Sequence, residues 1–415
     1  MKLGKYSIGV GDRFTHQGEA QLRAIMKANE KGLNISPVWN KSNREHIYVG
    51  TKPEDTRVEA DNAVKALGYE GLYFVDADHI NLDTVSNYVA MSDFFTLDVA
   101  SFIGKESSKE EMDAFIVSCK EYMGKLEIPG IEEPLQVTEE LLRGIGNKFL
   151  AATSHAAEIY AYLKKEKGAG NFITEVSMDE VESPQTPIEL LFILKMLADK
   201  QVPVQTIAPK FTGRFNKGVD YVGDLDQFAR EFEEDVLVID FAVKEFGLPE
   251  ELKLSVHSGS DKFSIYPIMA GVIAKYDKGL HLKTAGTTWL EEVIGLAMAG
   301  GEGLKLAKKI YENSYNRQEE LCAPYADVID INSAELPSVE EVNSWTSDKY
   351  ANTLRHIPGH ADYNANFRQL IHVAYKVAAE MGSEYTDLLV KYAEVIGTCV
   401  EENIYDRHLK RLFSL

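Results

Sequence analysis

The chain has 415 residues, 45% of them hydrophobic and 26% charged, the make-up of an ordinary globular protein with room for one large domain and an extension. Lys and Arg number 44 against 65 Asp and Glu, a formal net charge of −21; this argues against a nucleic-acid partner, whose phosphates need a basic surface, but leaves a small anionic substrate possible through a few local cations. The opening MKLGKYSIGVGDRFTHQG lacks the apolar run of a signal peptide, the longest apolar stretch (188–198) holds Glu189 and Lys195, and Cys119, Cys322 and Cys399 form no CxxC, so the expectation is a cytoplasmic protein with reduced thiols and no membrane partner.

Eight β-type runs follow one another along the chain: YSIGV (6–10), NISPVW (34–39), GLYFV (71–75), DFFTLDV (93–99), NFITEVS (171–177), VPVQTIA (202–208), LKLSVH (252–257) and LHLKTA (280–285). Amphipathic helical patterns lie between them, such as QLRAIMKANEKG and TRVEADNAVKALG, each ending in a glycine stop, and PIELLFILKMLADK. Strands alternating with helices imply a parallel sheet, and eight units imply a (β/α)8 barrel of the TIM type rather than an open sheet. No GxGxxG or GxxxxGK[ST] follows a strand, which argues against a nucleotide-binding fold. Residues 100–170 are too long for one connection and predict inserted helices; residues 304–415 read as helices throughout. The expected organisation is a barrel over 1–303, with the helical insertion at 100–170, and an extension over 304–415 packed on it.

In such a barrel the chemistry sits at the C-terminal ends of the strands. The third run leads straight into VDADHINLD, placing Asp76, Asp78 and His79 at a strand tip. Other strand ends offer Asp12 and Arg13, Asn40 and Lys41, then Glu175, Asp179 and Glu180, then Lys210 and Arg214 with Asp224 and Asp226 beyond, then His257 with Asp261 and Lys262, and last Lys283. Two strand-end histidines with carboxylates nearby suit Zn²⁺, Mn²⁺, Ni²⁺ or Co²⁺. A lone Asp or His at a strand end also serves as a helix cap, and His155, His372 and His408, in helical patterns, read as structural. The stretch RHIPGHADYNANFR, with His356, His360 and Arg368, either closes over the site or docks the extension.

VDADHI, TEVSMDEVESPQTPIE, YVGDLDQF and SVHSGSDKFSIYP, in this order, resemble the corresponding blocks of the tagaturonate epimerases, metal-dependent isomerases of hexuronate breakdown that interconvert D-tagaturonate and D-fructuronate. The resemblance runs from about residue 5 to about residue 290. It implies Asp78 as proton acceptor, His79, Asp224 and His257 as ligands of a divalent metal, with Asp226 as the alternative to Asp224, and a carboxylate of the fifth block as proton donor. Glu175, Asp179 and Glu180 compete for that last role, and Glu180 is the choice.

The chemistry matches these residue types. The inverted carbon lies β to the ketone, so enolisation does not activate its C–H bond. A retro-aldol route does invert it: a base takes the hydroxyl proton, the C–C bond opens to an enediolate and an aldehyde, and the aldehyde re-adds from its other face. This needs a Lewis acid, a base, an acid and a closed site. Lys210, Arg214 and Lys262 are the candidates for the substrate carboxylate. The competing readings are a metal-dependent aldolase or ketose isomerase on the same barrel, and a non-catalytic sugar-binding barrel.

Overall fold

The computed structural model describes residues 1–179, 181–284 and 287–413. Its strands are β1 (Tyr6–Val10), β2 (Ile35–Ser42), β3 (Phe74–Ile80), β4 (Phe94–Asp98), β5 (Gly124–Leu126), β6 (Leu135–Val137), β7 (Ile173–Ser177), β8 (Thr206–Ala208), β9 (Lys253–His257) and β10 (Leu280–Lys283). All but β5 and β6 join one closed parallel barrel in the order β1-β10-β9-β8-β7-β4-β3-β2. The eight expected runs each contribute one strand, so the barrel reading holds, with two shifts. The third strand begins three residues later than expected and runs through VDADHI, so the polar motif belongs to the strand itself. The insertion after β4 is also more than helices: Lys109–Ser118 and Glu139–Lys167 flank the antiparallel hairpin of β5 and β6.

The period of two along each strand separates the faces. Val75, Ala77, Phe95, Leu97, Val176 and Val256 point out and are buried under the surrounding helices. The opposite parity fills the barrel. Leu3, Val38, Phe74, Phe94 and Ile173 make an apolar floor. Toward the C-terminal ends the lining turns polar, with Asn40, Asp76, Thr96, Glu175, Thr206, His281 and Lys283 all buried. Gly9 is required at this level, since a Cβ there would stand 2.7 Å from Lys283 Cγ. The lysine stem crosses the barrel over that glycine.

Local signals set the helices. The helix Pro187–Asp199 starts from a Thr186–Glu189 capping box with proline in its first turn. Gly300 and Gly301, both at positive φ, separate Thr287–Ala299 from Gly301–Asn316, so the GGEG stretch ends one helix and opens the next. From there the chain is helical to Phe413, and its apolar side shares one core with the outer faces of β1, β2 and β3: Ile8, Trp39 and Val75 lie in the same cluster as Leu306, Tyr311, Leu370, Tyr375 and Ile396. Among the described residues no helix is long and apolar enough to cross a membrane.

Candidate active site

The site begins with a backbone irregularity. Asp78 and His79 are neighbours on β3, so regular pleating would send their side chains to opposite faces. The register with β4 slips between Ala77 and Ile80, and His79 has φ of +52°. This left-handed residue costs about 1–3 kcal/mol and turns both side chains toward the barrel mouth.

Barrel closure then brings the ends of β3, β7 and β9 together. One ligand atom from each of His79, Asp179 and His257 lies within 4.8 Å of the other two, the one such group of three among the described residues. The two imidazoles stand 5.2 Å apart between ring centres. Each turns one nitrogen toward Asp179: His79 Nε2 is 3.5 Å and His257 Nδ1 is 3.2 Å from Asp179 Oδ1. The other nitrogen of each meets a carboxylate, His79 Nδ1 at 2.8 Å from Asp78 Oδ1 and His257 Nε2 at 2.9 Å from Glu175 Oε1. His257 Nδ1 is buried and, among the described residues, makes no hydrogen bond despite the nearby oxygen. Burial opposes a charge on these rings, but Asp78 and Asp179 outweigh it at His79, and Asp179 with Glu175 at His257, so both imidazoles are shifted upward. The trio is therefore a pocket of negative field with an orphaned imidazole nitrogen. Two histidines and a carboxylate, with carboxylates holding the far side of each ring, are a donor set that fits a divalent metal.

Behind the trio, three buried carboxylates share one lysine. Lys283 Nζ lies 2.9 Å from Asp76 Oδ2, 2.7 Å from Asp78 Oδ1 and 3.2 Å from Glu175 Oε1, and it donates to Thr96 Oγ1 at 2.7 Å. One cation does not neutralise three anions in a dry site. Burial, with the charges of Asp78 and Glu175, pushes Asp76 upward. Lys283 and His79, working against burial, hold Asp78 well below the usual carboxylate range. Asp78 is thus held in its ionised form, while Asp76 is pushed up to about 7. Both contacts of Asp78 use Oδ1; its Oδ2 has no protein partner among the described residues. Lys283 entered the sequence reading only as a strand-end residue. The alternation in LHLK, which turns His281 and Lys283 to the same side, was the signal that it lies inside.

The remaining expected residues are distributed as follows. Asp224 is exposed and caps the helix Leu225–Phe246, accepting from the backbone N–H groups of Asp226 and Gln227 at 2.9 and 3.0 Å. Asp226 is exposed as well, and neither joins the trio; the carboxylate beside both imidazoles is Asp179. Glu180 lies outside the described residues. Lys210 donates to the Val181 carbonyl. Arg214 is over half exposed and pairs with Asp330 at 3.1 Å. Lys262 is fully buried, pulled down to about 7 by that burial, and donates to the carbonyls of Asn216 and Val219 and to Ser260. Each of these three cations already has a protein partner, Lys262 with its ammonium group donating to three acceptors. His356 and Arg368, in the stretch read as lid or dock, both bind the fully buried Asp261, at 3.3 and 2.6 Å. There the stretch docks the extension.

A family model described as tagaturonate epimerase matches residues 1–412. The chain belongs to the tagaturonate epimerase family. A curated relative, the tagaturonate/fructuronate epimerase of Thermotoga maritima, is 31% identical over 99% of this chain and 80% of its own length. Crystal structures of the fructuronate-tagaturonate epimerase of Cohnella laeviribosi share the fold. The complex with one glycerol superimposes with a TM-score of 0.80 at 24% identity, covering 99% of this chain and 82% of the other. The native form gives 0.80 at 23% over the same shares. Membership in this family is what the four sequence blocks implied.

Proposed function

We propose that this protein interconverts D-tagaturonate and D-fructuronate, using a divalent metal held by His79, Asp179 and His257. Family membership supports the substrate pair. The observation that carries the chemistry is the trio itself, beside an ionised carboxylate with one open oxygen. Asp179 takes the ligand role first given to Asp224, because Asp224 is occupied as a helix cap.

A bound divalent cation supplies Lewis-acid polarisation of a ketone oxygen. The residues do the rest. Asp78 accepts the hydroxyl proton at Oδ2 while Oδ1 keeps His79 oriented. Lys283 keeps Asp78 anionic, so a base is present throughout the neutral range. The reverse transfer needs an acid, and we keep Glu180, next to Asp179 in the chain, in that role on the family resemblance. The buried, hydrogen-bonded walls of Thr96, Asp76 and Glu175 keep water from the opened fragments. The barrel over 1–303 with the extension over 304–415 acts as one catalytic unit in this reading.

The test combines metal analysis with a proton-NMR assay on tagaturonate. Chelation abolishes turnover and added divalent metal restores it; His257→Ala and Asp179→Ala lose bound metal, while Asp224→Ala retains it. Full activity in a verified metal-free preparation would overturn the metal requirement, and absence of fructuronate in the metal-loaded enzyme would overturn the substrate assignment.

A further inference from the structure

An acidic sugar approaching a chain of net charge −21 needs a local positive patch, and Lys210, Arg214 and Lys262 are engaged elsewhere. A different set of nitrogens at the barrel mouth lacks full pairing. Arg13, three residues past β1, is 8% exposed; its Nε pairs with Glu45 at 2.9 Å, and its Nη1 is buried with no partner among the described residues. Lys41, at the end of β2, pins this residue by donating to the Arg13 carbonyl at 2.6 Å. His372, on the helix Ala365–Val373, is 2% exposed, and its Nε2 is likewise buried and unpartnered among the described residues. Lys217, half-buried, has no acceptor for its ammonium group among the described residues.

Packing gathers the three. The Arg13 guanidinium lies 4.2 Å from the ring of Tyr375, three residues beyond His372. On the other side Gly218 seats against His372: a Cβ on that glycine would stand 3.4 Å from His372 Cβ, and Arg368 Nε donates to the Gly218 carbonyl at 2.6 Å. Lys217, next to Gly218 in the chain, therefore stands near His372, and both its charge and that of Arg13 act on the imidazole. Its Nζ would be 3.6 Å from a Cβ on Gly259, two residues past His257, which ties the group to the end of β9. Burial, then the charges of Arg13, Lys217 and Arg368, hold the His372 imidazole well below its usual range, so it is neutral and offers a hydrogen bond within a positive field.

We propose that Arg13, Lys217 and His372 form the subsite for the carboxylate of the hexuronate. This deepens the function proposed above and rests on it. Two cations and a neutral N–H donor give a carboxylate charge and direction together, and the pocket discriminates because a neutral sugar leaves these nitrogens unpaired. His372 comes from the helical extension, so the extension contributes to substrate choice.

Titration calorimetry with D-fructuronate and with neutral D-fructose tests this without requiring turnover. The wild-type protein prefers the acid. Lys217→Met, which removes an unpaired ammonium and leaves the fold intact, weakens the acid by about 10- to 100-fold and reduces its preference over the ketose by the same factor. His372→Gln, with an unchanged melting temperature as the check on folding, lowers the preference in the same direction. Unchanged preference in both variants, or a wild-type protein that binds the acid no better than the ketose, overturns the subsite. Selective binding of the acid, lost in the variants but accompanied by no epimerisation in the wild type, supports the subsite and counts against the proposed reaction alone.

Discussion

Asp78 carries two contacts on one oxygen and, among the described residues, none on the other, and this asymmetry separates its possible roles. As the base, it uses Oδ2 on the substrate while Oδ1 serves His79. Asp78→Asn keeps the size and most of the hydrogen bonding. Turnover is expected to fall by roughly 10²- to 10⁴-fold with metal content unchanged. If Asp78 served only to orient His79, the loss would be in metal affinity, by roughly 10- to 100-fold, and excess metal would restore the rate. Measuring metal content and the rate at saturating metal on this one variant decides between them. A near wild-type rate removes Asp78 from the mechanism. His79 and Lys283 are what make the aspartate available: it stays ionised in a dry pocket because a cation and an imidazole sit on its other oxygen.

At the level of elements, the end of β9 and the loop after it do two things within five residues. His257 enters the trio, and Asp261 anchors the extension by accepting from Arg368 at 2.6 Å, His408 at 3.1 Å and His356 at 3.3 Å, all of them buried. Burial alone would raise the Asp261 carboxyl, but Arg368 and then the two histidines hold it well below the usual range. A depressed carboxylate contributes stability that is complete above its unfolded value, about pH 4, and is lost as the pH falls through the lower folded value. The unfolding free energies of wild type and Asp261→Asn are therefore expected to differ most at neutral pH, by about 3–5 kcal/mol for an uncompensated Arg368, and to converge below about pH 4. Urea unfolding at several pH values reads this directly; a gap that stays constant down to pH 3 shows that Asp261 does not anchor the loop through its charge. The bulge in β3 is the second element-level device. The strand accepts a strained His79 because that is how one strand presents two consecutive side chains to one site.

For the whole molecule, the extension is part of the core. Trp289 donates to the Ile371 carbonyl at 2.7 Å, and the outer faces of β1 to β3 share one apolar cluster with helices as late as Ile404 and Leu409. Ending the chain at residue 303 would expose that face to water at about 25 cal/mol for each Å² uncovered. The truncated chain is expected to give no cooperative melting transition in calorimetry and to aggregate; a sharp transition near that of the full chain would make the barrel self-sufficient.

Periodicity and strand-end chemistry are local, and the sequence carried them: the (β/α)8 order, the insertion after β4, and Asp78, His79 and His257 as strand-end residues of a familiar set of blocks. Pairings across the barrel are not local. Asp179 rather than Asp224 faces the imidazoles because closure sets the ends of β3, β7 and β9 side by side, while Asp224 finds backbone N–H groups within its own helix. Strict alternation in VDADHI would divide Asp78 from His79, and only the register slip against β4 unites them. Lys262 has the composition of an anion binder, yet three acceptors from its surroundings claim its ammonium. His372, which in sequence is one more helical histidine with Arg368 one turn before it, gains Lys217 and Arg13 from segments more than 150 residues away in the chain, since only the packed extension brings them to it. Sequence spacing ranks which groups are able to do chemistry; the closed barrel and its docked helices decide which of them are left with a free atom to do it.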